Sequence, residues 1–200
     1  HSDHVGGFLK LQLLYQKLKS IGLDVGQKNI FSHPDVFMEN TIDGLFGDED
    51  NIHFNKDTLD SFFNLVLAKE PQEISDKLYY LGSIPIEKAV KLDYTPDETA
   101  LAYKSEEGLI IISGCSHSGV ENIIEHARKV TGEQKVKTLI GGIYLINRSG
   151  EEVNELGKYL SSQGIEKIYP CHCTDLESRI ILSRYVKIGE VSVGRAFSWN

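Results

Sequence analysis

The sequence has no apolar run approaching the roughly 20 residues that a membrane-spanning helix needs. That argues against an integral membrane protein and against a membrane partner. Cysteine is scarce: Cys115, Cys171 and Cys173 are the whole complement. An odd, small number fits a reducing, cytoplasmic setting better than a disulfide framework. Positive charge is in deficit, with 21 Lys and Arg against 29 Asp and Glu, a net charge of −8. A surface of that sign does not suit polyanions, so nucleic acid is not an expected partner. Internal repeats, low-complexity stretches, interdomain linkers and a signal-peptide pattern are also missing. What is present is a 200-residue chain with 40% hydrophobic and 25% charged residues. That composition fits a globular protein with enough chain for a sizeable core.

The patterning is that of an α/β protein. Residues 6–22, "GGFLKLQLLYQKLKSIG", place Leu11, Leu14, Tyr15, Leu18 and Ile21 at helical spacing, with Gly22 as a stop. "KNIFSHPDVF" (28–37) reads as a strand entering a loop at Pro34. Residues 38–58 are polar and turn-rich and read as a long loop. "FFNLVLA" and "KLYYLGSI" read as strands on either side of a connecting "KEPQEISD". "ETALAYKS" and "GLIIISG" form a strand pair across a Glu-Glu-Gly turn. Then strands and helices alternate. "SGVENIIEHARKVTG" is a helix with Ser118 as its N-cap and Gly132 as its stop. "VKTLIGG" is a strand, "EEVNELGKYLSSQG" a helix, "IEKIYP" a strand, "LESRIILSRYV" a helix and "EVSVG" a short final strand. Such alternation predicts layered α/β architecture.

Three polar clusters stand out: "HSDH" (1–4), "GCSHSG" (114–119) and "YPCHCTD" (169–175). The last two follow apolar strands, where α/β proteins place their ligand sites. Imidazole and carboxylate donors together suit zinc, iron or manganese. His1, Asp3 and His4 are too close in sequence for all to serve one ion comfortably, but they suit two neighbouring ions. His53 and His126 read as structural or solvent-facing histidines. "GCSHSG" precedes a helix, yet it lacks the glycine pattern and lysine of a phosphate loop.

"HSDHVGG" resembles the end of the His-x-His-x-Asp-His motif of the metallo-β-lactamase superfamily. "DETALAYKSEEGLIIISGCSHSGVENIIEHA", "LIGGIYLI", "PCHCTD", "FSHPDVF" and "LGSIPIEKA" are similar to one branch of it. That branch comprises dihydropteroate-synthase-related proteins and the dihydropterin-ribofuranosylaminobenzene-phosphate synthases. The resemblance implies a metallo-β-lactamase αββα sandwich. Residues 1–200 are expected to form a single domain that lacks the first strands, and the histidine two positions before His1, of the family pattern. It also implies two divalent metal ions, zinc first, with iron or manganese as alternatives.

The family roles transfer residue by residue. His1 belongs to the first ion. Asp3 and His4, with His172, belong to the second, and Asp3 also orients the reactive water and accepts its proton. His117 stands either as the third ligand of the first ion or at the place of a bridging aspartate. His33, Tyr144, Cys115, Cys173 and Thr174 are candidates for contacting substrate or supporting the ligands; Cys115 and Cys173 read equally as small buried packing residues, and Cys173 also as a thiolate donor. Tyr144 replaces a histidine of the branch, and Asp175 replaces a glycine. The implied activity is a metal-dependent hydrolase, or related synthase, of a small-molecule, phosphorylated or pterin-like substrate. The alternative is a non-catalytic binding module of the same fold, which the Tyr144 departure would favour. Oligomeric state is not legible.

Overall fold

A computed structural model of the chain describes residues 4, 7–23, 26–37, 59–60, 62–87 and 97–199. His1, Asp3, His53 and the long-loop reading of 38–58 lie outside them. The chain divides into two compact units, residues 1–68 and 69–200.

The first unit contains helix α1 (Gly7–Ser20) and two strands, β1 (Lys28–Ser32) and β2 (Phe63–Leu67). The strands pair in parallel, from Lys28 opposite Phe63 to Ser32 opposite Leu67. Phe63 is the anchor: it is buried, with its ring 6.1 Å from that of Phe8 and 5.3 Å from that of Tyr15. These are the aromatic residues of α1, seven apart, so two helical turns bring both rings to one strand residue. Gly22 ends the helix as expected. It sits at φ 80°, and the amides of Gly22 and Leu23 donate to the carbonyls of Lys19 and Leu18.

The second unit is built on a seven-stranded mixed sheet whose spatial order follows the sequence. Its strands are β3 (Gln72–Ser75), β4 (Leu78–Tyr80), β5 (Ala100–Ser105), β6 (Gly108–Ser113), β7 (Val136–Gly142), β8 (Lys167–Cys171) and β9 (Lys187–Ile188). Pairing is antiparallel from β3 to β6 and parallel from β6 to β9. Helices α2 (Val120–Thr131), α3 (Gly150–Ser162) and α4 (Leu176–Leu182) connect the parallel strands. Leu109, Ile111, Leu139 and Ile168 of the sheet pack with Ile123, Ile124, Ala127, Val153 and Leu160 of the helices in one core. These strands carry near-continuous apolar runs, as parallel strands covered by helices do.

Four expectations are corrected. "KEPQEISD" is not a simple connection, since Gln72–Ser75 forms β3 and turns into β4 at Asp76–Lys77. Its side chains alternate between half-buried and exposed, so its polar face hides the strand. "EVSVG" holds no strand. Pairing with β8 stops at Ile188, and the next residue, Gly189, lies against the Tyr169 ring. The last helix is shorter than expected and gives way after Leu182 to tight turns, with the Arg184 and Tyr185 amides on the carbonyls of Ile181 and Leu182. Ser118 does not cap α2; Gly119 occupies the N-cap position and offers no side chain. The other caps are local. Ser149 and Glu152 form a reciprocal capping box on α3. Asp175 caps α4 by accepting from the Ser178 amide at 2.7 Å. Among the described residues, no helix is long and apolar enough to cross a membrane.

The most constrained position is Gly141, at φ 128°, where an added Cβ would sit 1.9 Å from the Ser113 carbonyl oxygen. Gly132 also has a positive φ, 71°, but a Cβ there would meet open space. Gly132→Ala is therefore expected to cost about 1 kcal/mol, from backbone strain alone. Gly141→Ala should cost about 3 kcal/mol or more, from strain and overpacking together. Urea denaturation of both variants checks this, and equal losses would remove the close-approach argument.

Candidate functional site

Because β6, β7 and β8 run parallel, their C-terminal ends share one edge of the sheet, with Ser113 opposite Gly141 and Gly142 opposite Cys171. The loops leaving that edge carry Cys115–Ser118, Ile143–Asn147 and His172–Asp175. Each contains a non-glycine residue in the left-handed region: Ser116 (φ 65°), Tyr144 (φ 48°) and Asn147 (φ 62°), and His172 (φ 52°). Such conformations are strained and persist only where the surroundings over-determine them.

The surroundings here are a hydrogen-bond network. The Gly142 amide donates to the Gly114 carbonyl at 3.0 Å. The Ser116 hydroxyl donates to the Gly142 carbonyl at 2.7 Å, which leaves Ser113 as the donor in the 2.8 Å Ser113–Ser116 hydroxyl pair. The Tyr144 amide donates to Cys173 Sγ at 3.1 Å, and the Ile143 amide to Thr174 Oγ1 at 3.2 Å. The Leu145 amide donates to the Cys173 carbonyl at 2.9 Å, and the Cys173 thiol to the Cys115 carbonyl at 3.5 Å. Gly142 makes this possible, since a Cβ there would lie 2.7 Å from Cys173 Sγ.

Each expected residue of the second unit has a definite place. His117 is buried, and its ring lies 4.1 Å from that of Tyr144, at 39°. Tyr144 also lines a cleft of about 440 Å³, together with Ser116, Val120, Leu145, Arg148 and Leu156. His172 is exposed, and one of its ring nitrogens lies within 4.8 Å of Cys115 Sγ. Cys115 is buried, as is Cys173. The Cys115 side chain, opposed by burial, holds the Cys173 thiol below its ordinary pKa. Burial pushes the Cys171 thiol up. Thr174 is buried and tied into the network. His126 bonds through Nε2 to the Leu81 carbonyl at 2.8 Å, the structural role expected of it.

In the first unit, His33 is buried directly after β1. Its Nδ1 accepts from the Asp35 amide at 3.2 Å, which shapes the 3₁₀ turn Pro34–Phe37. His4 is exposed.

Glu98 is the residue that sequence reading missed. Its two carboxylate oxygens accept from the amides of His117 and Ser118, at 2.5 Å each. Burial pushes this carboxyl above its ordinary pKa, against the pull of the Ser118 and His117 hydrogen bonds. A usable signal existed. Ala100 pairs with Ser113, so continuing that antiparallel register places Glu98 beside the start of the His117 loop.

The donors fit a metal ion. An imidazole nitrogen and a thiolate sulfur on one tetrahedral zinc lie about 3.5 Å apart. The pair His172 and Cys115, within 4.8 Å, needs only a small side-chain adjustment to reach that separation.

No family model matches the chain. It is 29% identical over 204 residues to the 7,8-dihydropterin-6-methyl-4-(beta-D-ribofuranosyl)-aminobenzene-5'-phosphate synthase of Methanocaldococcus jannaschii. The match covers 89% of this chain and 65% of that protein, so the chain spans just under two-thirds of the relative's length. A second protein of that organism, the uncharacterised MJ0448, is 28% identical over 199 residues, covering 92% of this chain and 70% of MJ0448. Among solved structures, Tm1679, a metal-dependent hydrolase of the beta-lactamase superfamily, matches with a TM-score of 0.73 at 21% identity. That match covers 92% of this chain and 84% of Tm1679. The mixed sheet, its helices and this match establish that the chain has the fold of the metallo-β-lactamase superfamily.

Proposed function

We propose that the chain is a metal-dependent hydrolase, or a related synthase, that acts on a phosphorylated or pterin-like small molecule through a binuclear site. The observation that carries this reading is a pair of contacts on strained loops at the C-terminal ends of β6, β7 and β8: the His117 ring against Tyr144, and a His172 nitrogen within reach of Cys115 Sγ. The fold match and the sequence similarity to a pterin-related synthase support it.

The ligand set we propose is His1, Asp3, His4, His117 and His172, with Cys115 as an additional donor at His172. When bound, two divalent cations would supply a water of lowered pKa and polarise a substrate oxygen. A thiolate and imidazoles favour zinc over harder ions. The chain's own residues do the rest. Asp3 accepts the proton from the attacking water. His172 is held in the αL region with a ring nitrogen within reach of Cys115 Sγ, and the network through Cys173 keeps that loop from relaxing. Tyr144 forms a wall between His117 and the 440 Å³ cleft, where its ring bounds the substrate and its hydroxyl donates to it. The proposed role of the Tyr144 hydroxyl is that of a hydrogen-bond donor to substrate rather than of a metal ligand.

Metal analysis of the full-length protein tests the reading: about two equivalents are expected, and none would point to a binding module instead. His172→Ala should lower metal affinity and turnover of a chromogenic phosphoester by at least 10–100-fold, the scale seen for residues that only support ligands. Its exposed side chain contributes little to packing, so thermal unfolding should hardly move. Full metal content with unchanged turnover would sink the His172 assignment.

Tyr144→Phe keeps the ring against His117 and removes one donor. Turnover or substrate affinity should fall about 5-fold, the equivalent of about 1 kcal/mol for one hydrogen bond, with metal stoichiometry unchanged. A kinetically silent variant would mean that Tyr144 only packs.

A further inference from the structure

The carboxylate of Glu98 grips two consecutive amides, those of His117 and Ser118, one on each oxygen. The residue before them, Ser116, is in the left-handed region. Successive amides that follow such a residue form a small concave nest suited to an anion. Here the protein supplies the anion itself, from a segment 19 residues upstream. Two further contacts hold the same stretch. Asn122 Nδ2 donates to the Ser118 carbonyl at 2.7 Å, and the Gly119 amide donates to the Ser116 carbonyl at 3.0 Å. The Asn122 carboxamide oxygen in turn accepts from the Glu87 amide at 3.2 Å.

These contacts leave the main chain at His117 little freedom. The imidazole extends from a residue whose amide is clamped, and its ring meets that of Tyr144 at 4.1 Å. We infer that Glu98 is the positioning residue of the site: by holding the His117 and Ser118 amides it sets the direction in which the His117 imidazole is presented. The inference rests on the proposed metal-binding role of His117. It is distinct from helix capping. A cap for α2 would act on the amides of its first turn, whereas Glu98 acts on the two residues before the N-cap Gly119. Shape is as important as charge. Aspartate is one methylene too short to reach both amides. Glutamine fills the same volume but turns an NH₂ group toward an N–H, so at most one of the two bonds survives.

The test uses cobalt(II) as the probe, on the full-length protein. Binding is followed by the visible absorption of the bound ion and by competition with a chelator, alongside thermal unfolding. Glu98→Gln is expected to weaken cobalt affinity by roughly 10–100-fold, the range typical for residues that orient a ligand, and to shift the absorption bands. Glu98→Asp serves as the second variant, should the first not fold, and should show the same two changes. A role limited to holding α2 would lower the unfolding temperature and leave affinity and bands of the folded protein as in the wild type; that result overturns the inference. Wild-type protein that binds no cobalt overturns the metal reading itself. Wild-type binding that His117→Ala leaves untouched removes His117 from the ligand set, and the inference with it.

Discussion

Everything at the functional edge depends on how closely β7 passes its neighbours as it ends. At Gly141 the chain lies against the Ser113 carbonyl, and at Gly142 against Gly114 and Cys173. A side chain at either position would push the strands apart by an ångström or more. The loops after β6 and β8 would then lose the contacts that join them to the loop after β7. Those contacts are mostly backbone to backbone or backbone to a short side chain, and they tolerate little displacement because hydrogen bonds weaken steeply with distance and angle. The glycine pair therefore acts on the site without touching a ligand. It sets the spacing at which a serine hydroxyl can bridge β6 and β7, and at which a cysteine thiol can bridge the two outer loops.

The three cysteines show how finely the edge is divided. Cys171 ends β8 and is a half-buried thiol whose ionisation burial opposes. Cys173, two residues later, accepts from one loop and donates to another, so it joins the network rather than facing outward. Cys115 is the thiol with an imidazole nitrogen of His172 in reach. One residue type in one small region thus serves as strand, bridge and donor. The left-handed residues Ser116 and His172 fall directly after Cys115 and between Cys171 and Cys173, where the chain changes direction between one cysteine role and the next.

The elements that were legible in the sequence are those whose apolar pattern is self-sufficient. "GLIIIS" and "VKTLIGG" are buried by helices on one face and need no information from elsewhere. α1 was legible because Gly22 and the spacing of Leu11, Tyr15 and Leu18 are local signals. β3 was not, because an edge strand with glutamine, glutamate and serine reads as a connection. Ser118 was misread because the helix starts one residue later, with Gly119 at the N-cap position, and the Ser118 amide is instead held by Glu98 from a distant part of the chain. His117 and His172 were legible as loop histidines after strands. Their environments, down to Tyr144 beside one and Cys115 beside the other, required the three-dimensional register of β6, β7 and β8. Asp175, a departure from the glycine of the family it resembles, has a local explanation as the N-cap of α4.

Tyr144 is the departure that local structure does not account for. A tyrosine at φ 48° is conformationally unfavourable, at a cost on the order of 1–3 kcal/mol. The loop does not owe that conformation to its side chain. It is held by the Tyr144 amide on Cys173, the Ile143 amide on Thr174 and the Leu145 amide on the Cys173 carbonyl. Backbone contacts on both sides of the residue fix the direction of its Cβ whatever side chain is attached. The position is therefore a fixed socket facing His117, in which the side chain can change while the loop stays put. Histidine there would bring a nitrogen to the edge. Tyrosine brings a longer side chain that lines the cleft and ends in a hydroxyl. A substitution that keeps the geometry and replaces the chemistry bears on what the site accepts more than on whether the fold forms.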